Sequence, residues 1–195
     1  MNNNLKEEII SLMNDRVWIT KKARMEAEAR MNRNHLFTQL LVNYYTFVVL
    51  GFSIWTLVSN NNAVSLLTVI ASVGLFGVSI FVSAIGYREK ALQFKESYLK
   101  LNVLEFNLKN LLRKDLDDKN TTEELTKYEK DYSEILTKSE NHMDIDYIKV
   151  LIKHNKKITN SESLKYYSNK LIYYSLVLTL IVAPIILLIL YLGGI

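Results

Sequence analysis

The sequence predicts an all-α membrane protein: a transmembrane helical hairpin, a cytoplasmic helical hairpin and a C-terminal transmembrane helix. Three observations predict it. Charge is segregated: all 24 Lys/Arg and all 20 Asp/Glu fall in residues 1–38 and 86–170, and residues 39–85 and 171–195 carry none. The charge-free stretches supply the ~20 apolar residues that each crossing of a ~30 Å hydrocarbon core requires. Six Gly and one Pro are too few turn-formers for a loop-rich or β-rich chain. A water-soluble fold spreads charge over every surface element, so a mean hydropathy of only +0.05 is the average of two unlike halves.

The chain divides into a 1–38 N-terminal helix, a 39–85 hairpin, an 86–170 helical region and a 171–195 C-terminal span. Residues 5–38 read as a polar helix that runs into the first span; Thr20 to Arg33 mixes charges with Ala and Met, good helix formers. Gln39–Ser59 and Ala63–Ile85 are spans separated by Asn60-Asn61-Asn62, a turn that admits only an antiparallel pair. Ala91, Phe94, Tyr98, Leu101, Leu108 and Leu112 then recur at helical spacing. After a polar break at Lys114–Asn120, Thr121 and Glu124 form an expected capping box, ahead of the stripe Leu125, Tyr128, Tyr132, Ile135. A short helix is expected from Asp144 to Lys153, with Ile145, Ile148 and Ile152 on one side; His154–Asn160 is a polar connection, and Ser161–Lys170 leads into the last span, Leu171–Leu192. Pro184 lies inside that span and removes one backbone hydrogen bond, which membranes tolerate.

Orientation follows from the positive-inside rule. Seven Lys/Arg precede the first span and seventeen lie between the second and third. The N-terminus and residues 86–170 are therefore expected in the cytoplasm and the C-terminus outside, in a bacterial inner membrane. Tyr87, Tyr173 and Tyr174 then fall near the inner interface, Trp55 and Tyr191 near the outer one. The first residues lack the basic and apolar regions of a cleaved signal peptide.

The absence of cysteine excludes disulfides and thiolate chemistry. No ionisable residue lies within a span, which argues against proton-coupled transport and voltage sensing. A net charge of +4 is too small to suggest direct nucleic-acid binding. No cofactor or metal is expected, since His35, His142 and His154 show no metal-ligand spacing.

Ser65, Thr68, Ser72, Ser79, Ser83 and Gly86 follow helical steps and fall within an arc of about 80° on the second span. Asn43, Thr46 and Ser53 lie on one side of the first, and Ser175, Thr179 and Ala183 form a small-residue series on the third. Small hydroxyl residues either let membrane helices pack closely or line an uncharged pore; both uses stay open here. Asn141, His142, Asp144 and Asp146 are the one dense polar cluster, readable as a ligand site or as a helix start capped by Asp144. Lys153, Lys156 and Lys157, with Arg24, Arg30 and Arg33, are candidates for lipid headgroups or a phosphate ligand.

Several stretches together resemble the SLATT family of bacterial two-transmembrane effectors, associated with nucleotide-generating and nucleotide-sensing domains. Arg24-Met25-Glu26-Ala27-Glu28-Ala29-Arg30 precedes a span carrying Tyr44-Tyr45, and Tyr87-Arg88-Glu89-Lys90-Ala91 leaves the second span. Tyr132-Ser133-Glu134-Ile135-Leu136 is followed by Ser139-Glu140-Asn141-His142 and Asp144-Ile145-Asp146-Tyr147. The likeness covers roughly residues 16–170, and the third span is similar to the version of the family with an extra C-terminal membrane segment. The resemblance implies a homo-oligomeric membrane effector in antiviral conflict, triggered by a nucleotide second messenger or a co-encoded nucleotide-generating or sensing protein, that permeabilises the bilayer. It carries over no catalytic residues. The competing readings are a membrane-anchored scaffold or sensor for a soluble enzyme, and a hydrolase acting through His142.

Overall fold

The computed structural model describes residues 2–59, 62–114, 117–138 and 140–192. The predicted turn residues Asn60 and Asn61, Ser139 of the resemblance, the tail Gly193-Gly194-Ile195 and the Tyr191 side chain lie outside that description. Among the described residues all regular structure is helical: α1 (Asn3–Ser11), a π-helical turn (Leu12–Val17), α2 (Trp18–Ser59), α3 (Asn62–Ile85), α4 (Tyr87–Arg113), α5 (Asp118–Thr137), α6 (Asp144–Lys153) and α7 (Asn160–Leu192). Two compact units result, Met1–Asn32 with Arg88–Tyr166, and Arg33–Tyr87 with Tyr167–Ile195.

The first, charged unit closes around Ile9, Leu12, Val17, Leu101, Leu104, Leu108, Leu111 and Leu125. The polar N-terminal helix thus completes the core of the predicted α4–α5 hairpin. Thr20 meets Tyr132 and Arg24 meets Ile135, so α2 and α5 run parallel; Lys21 meets Glu105 and Arg24 meets Ser97, so α4 runs against them. α6 runs antiparallel along α2, from Arg30 at Asp146 to Trp18 at His154.

The π-helical turn has a sequence cause. The buried positions run 9, 12, then 17, 20, 23, 24, 27 and 31, with one step of five that the partly buried Met13 divides. In an α-helix Val17 would stand about 140° from Leu12; one widened turn brings the two closer to one face.

Two helix starts differ from expectation. α5 begins at Asp118 after Asp117, earlier than the expected Thr121 cap. Thr121 is fully buried in the first turn and donates to the Asp117 carbonyl (2.9 Å). Core burial therefore decided the position that capping chemistry was expected to decide. α6 has the expected bounds, but its N-cap is Met143, not Asp144; Asp146 in the first turn accepts from the Met143 N–H (3.1 Å). Ile148 is buried as expected, and Val150 and Leu151 join it. The helix ends in a Schellman motif: Asn155 has φ 52°, and the Lys156 and Asn155 N–H groups donate to the carbonyls of Leu151 (2.9 Å) and Ile152 (3.2 Å).

The second unit holds the three apolar segments, each within a helix long and apolar enough to cross a membrane. Almost none of their most apolar windows is buried within the chain, as a bilayer solvent permits and water does not. Arg33 and Phe37 lie at Tyr173, and Tyr44 at Ile181, so the first and third spans run parallel. Gly86, expected on the hydroxyl stripe, instead follows α3 in the left-handed region (φ 66°) and separates it from α4.

Candidate functional site

In the charged unit, the two most distinctive parts of the resemblance meet in space. Arg24 has no exposed surface. Its guanidinium donates to Ser97 Oγ and to the carbonyls of Ile135 (3.1 Å) and Leu136 (3.5 Å). Those carbonyls belong to the last turn of α5, where no helical N–H remains to satisfy them and the helix dipole is negative. A buried cation is thus held by a helix end, and burial pulls its pKa below the ordinary value against the opposing charge of Tyr132. Two residues on, around the other side of α2, Glu26 accepts from Lys149 (2.7 Å) and Lys153. Burial raises the Glu26 pKa, but the hydrogen bonds and charges of those lysines outweigh it and leave the carboxylate below its usual range. Arg30 then grips Asp146 with two bonds of 2.9 Å, on a carboxylate that is almost wholly buried. The segment Arg24–Arg30 therefore ties α2 to α5 on one side and to α6 on the other.

His142 lies within electrostatic reach of Arg24, Asp146 and Asp144. Its Nδ1 is buried without a hydrogen-bond partner, as is Arg24 Nε. Burial first, and the Arg24 charge second, lower the imidazole pKa against the opposite pull of Asp146 and Asp144. The surroundings therefore favour the neutral imidazole, with one nitrogen facing away from water. Asp144 is exposed and pairs with Lys165 (2.6 Å), and Asn141 is exposed.

The remaining basic candidates separate. Lys156 lies over the Trp18 ring (5.0 Å to its centre), whose other contacts are Lys22 (6.0 Å) and an edge-on His154 (4.8 Å). Lys157 is exposed, and Arg33, in the second unit, lies over Tyr173 (5.7 Å). Arg24 and Arg30, expected to meet headgroups or phosphate, are instead committed to interior partners. A side chain with no accessible surface offers nothing to a headgroup.

In the membrane unit the hydroxyls first satisfy their own helices. Thr46, Ser53, Thr68 and Ser72 donate to the carbonyl four residues back at 2.8–2.9 Å, as Thr179 does to Ser175. Thr68 alone of the α3 series is buried; Ser65, Ser72, Ser79 and Ser83 face outward, as do Asn43 and Thr46 on α2.

The strongest interhelical feature of this unit was not singled out from sequence. Pro184 has no N–H, which leaves the Leu180 carbonyl without its helical donor. Tyr45 Oη donates to that oxygen (2.8 Å) and Tyr44 Oη to the next, Ile181 O (3.0 Å). Tyr45 thus satisfies the one carbonyl that the proline leaves open on α7, and the adjacent Tyr44 adds a bond to the next carbonyl along. Two apolar cavities of about 340 and 460 Å³ flank the joint, both lined in part by Pro184. The larger is lined by all three membrane helices and, Tyr45 and Thr68 apart, wholly by apolar side chains.

Among the described residues, no group of three or more His, Asp or Glu side chains is placed to hold a metal ion. Fold and site together define a helical membrane protein with a charged, self-cored domain interleaved in sequence with three apolar helices. Residues 6–190 match the model of the SMODS and SLOG-associating 2TM effector domain family 5, and the chain belongs to that family. The match extends the resemblance across almost all of α7, so the third apolar helix lies within the family's own span. Comparisons with curated proteins and with solved structures give no match.

Proposed function

We propose that this protein is the membrane-permeabilising effector of a bacterial antiviral or conflict-defence system, working by oligomerisation rather than by catalysis. The observation that carries the reading is the outward placement of Ser65, Ser72, Ser79 and Ser83 on a span without a single charge. Membrane helices associate through small and hydroxyl residues, each interhelical bond contributing on the order of 0.6 kcal/mol. The same face lines an uncharged conduit when copies rearrange. The apolar lining between the three helices of one copy favours a lumen formed between copies. In this reading the N-terminus and the charged unit are cytoplasmic, and a nucleotide signal or a partner protein acts there. α2 connects the two units without a break, from Trp18 to Ser59, and serves as the lever.

The test is ion flux and dye release from liposomes holding the purified full chain, with and without candidate nucleotides. Ser72→Leu/Ser79→Leu is expected to abolish flux while insertion is retained. Unchanged flux in that variant rules out a pore wall on this face.

A second reading, a membrane-anchored scaffold, is favoured by one observation: the charged unit has a core of its own. Replacing the spans with unrelated ones of the same topology separates the two, since only a scaffold keeps its activity.

A further inference from the structure

α4 is apolar on two opposite faces, and only one is used. Phe94, Leu101 and Leu108, seven residues apart, are buried in the core of the charged unit. Leu92, Leu99 and Phe106, also seven apart and two residues out of phase, are each more than half exposed, as is Val103. At about 100° per residue these four fall within an arc of about 60°. That is the narrow seam of a coiled coil; a helix lying on a bilayer carries a much wider apolar face. Asn110 extends the seam at a position where coiled coils place an asparagine to fix register.

The seam has unequal edges. Arg88, Lys95, Lys109 and Arg113 follow one side and are all exposed, Lys109 being paired with Glu105 (2.6 Å). On the other, Lys100 is already paired (2.5 Å) with Glu96, which stands seven residues before Val103 in the seam itself. A second copy fits poorly: antiparallel pairing sets the basic edge against itself, and parallel pairing sets Glu96 on Glu96 and Lys95 beside Lys100. We infer that the outer seam of α4 is the docking site for an amphipathic helix of a partner protein, with apolar residues at heptad spacing and acidic residues along its flank. This deepens the trigger in the reading above but does not depend on the spans forming a pore, and its test involves no flux.

The full chain in phosphatidylcholine nanodiscs is titrated against two labelled designed peptides of about four heptads. Both carry leucine at the seam, one with glutamate and one with lysine on the flanks. The glutamate peptide is expected to bind at least about tenfold more tightly, with the ratio collapsing at high salt. Leu99→Asp/Val103→Asp should remove binding of both. Lys95→Glu/Arg113→Glu, which leaves the core untouched, should reverse the preference. Equal binding of the two peptides, or none, overturns the proposal. So does either result from a thiol at Val103→Cys, unique because the chain has no cysteine: a disulfide between copies assigns the seam to a second copy, and quenching of an attached dye by brominated lipid assigns it to the bilayer.

Discussion

At the scale of single residues, the charged unit depends on ions placed where water does not reach. Asp146 has two tasks: it neutralises Arg30 and accepts from the Met143 N–H at the start of α6. Asp146→Ala leaves a part-buried guanidinium unpaired and a helix start uncapped, a loss of about 2 kcal/mol. Hydrogen exchange across α6 should accelerate accordingly, while α4 stays protected; unchanged exchange in α6 contradicts the assignment. His142 gives a second residue-scale prediction, with Arg24, Asp146 and Asp144 as the charges that face it. Its pKa is lower folded than unfolded, so the unfolded chain takes up the proton first as pH falls through about 6.5. Stability is then complete above that value and declines below it. Glu26 and Glu105, both held below the usual carboxylate range, extend the loss below about pH 4.3. The melting temperature of His142→Gln should change less between pH 7.5 and 5.5 than that of the unaltered chain; equal slopes would remove His142 from the account. These residues were legible as a cluster and illegible as partners. Sequence shows that Arg24, Arg30, His142 and Asp146 are unusual, but pairing across more than a hundred positions is set by packing.

At the scale of elements, helix-forming composition located the first helix, apolar length the spans and hydrophobic spacing the rest, and the misses are all local. The capping box at Thr121 failed because the core needed that residue inside. The π-helical turn was written in the five-residue step from Leu12 to Val17, a signal that a search for threes and fours passes over. The tyrosine–proline joint was legible in its parts, since a proline always opens the carbonyl four residues back, yet the donor on α2 is 135 residues away. That joint predicts a cycle. Tyr45→Phe strips the Leu180 carbonyl of its donor and should weaken the membrane unit by about 1 kcal/mol. Pro184→Ala restores the helical N–H, so in that background Tyr45→Phe should cost almost nothing. Equal penalties in both backgrounds, measured by unfolding in detergent, would mean that the hydroxyl does not serve the proline gap.

At the scale of the whole molecule, charge segregation alone gave the class, because a bilayer penalises stray charge more consistently than any fold rewards a particular contact. What lies between copies was not legible: a helix face carries no count of its neighbours. It does carry a direction, and that direction is testable. With α3 viewed down its axis, Ser72 and Ser79 lie within about 20° of each other and Ile70 about 160° away. All three are exposed in the single chain, so exposure does not distinguish an assembly face from a lipid face. Chemistry does, since Ile70 offers lipid-like surface and the serines offer small size and hydrogen bonds. In native membranes Ser72→Cys and Ser79→Cys should therefore form disulfides between copies, whereas Ile70→Cys should remain a thiol. Efficient cross-linking at Ile70 with none at the serines would place the hydroxyl stripe against lipid and leave the proposed assembly without its seam.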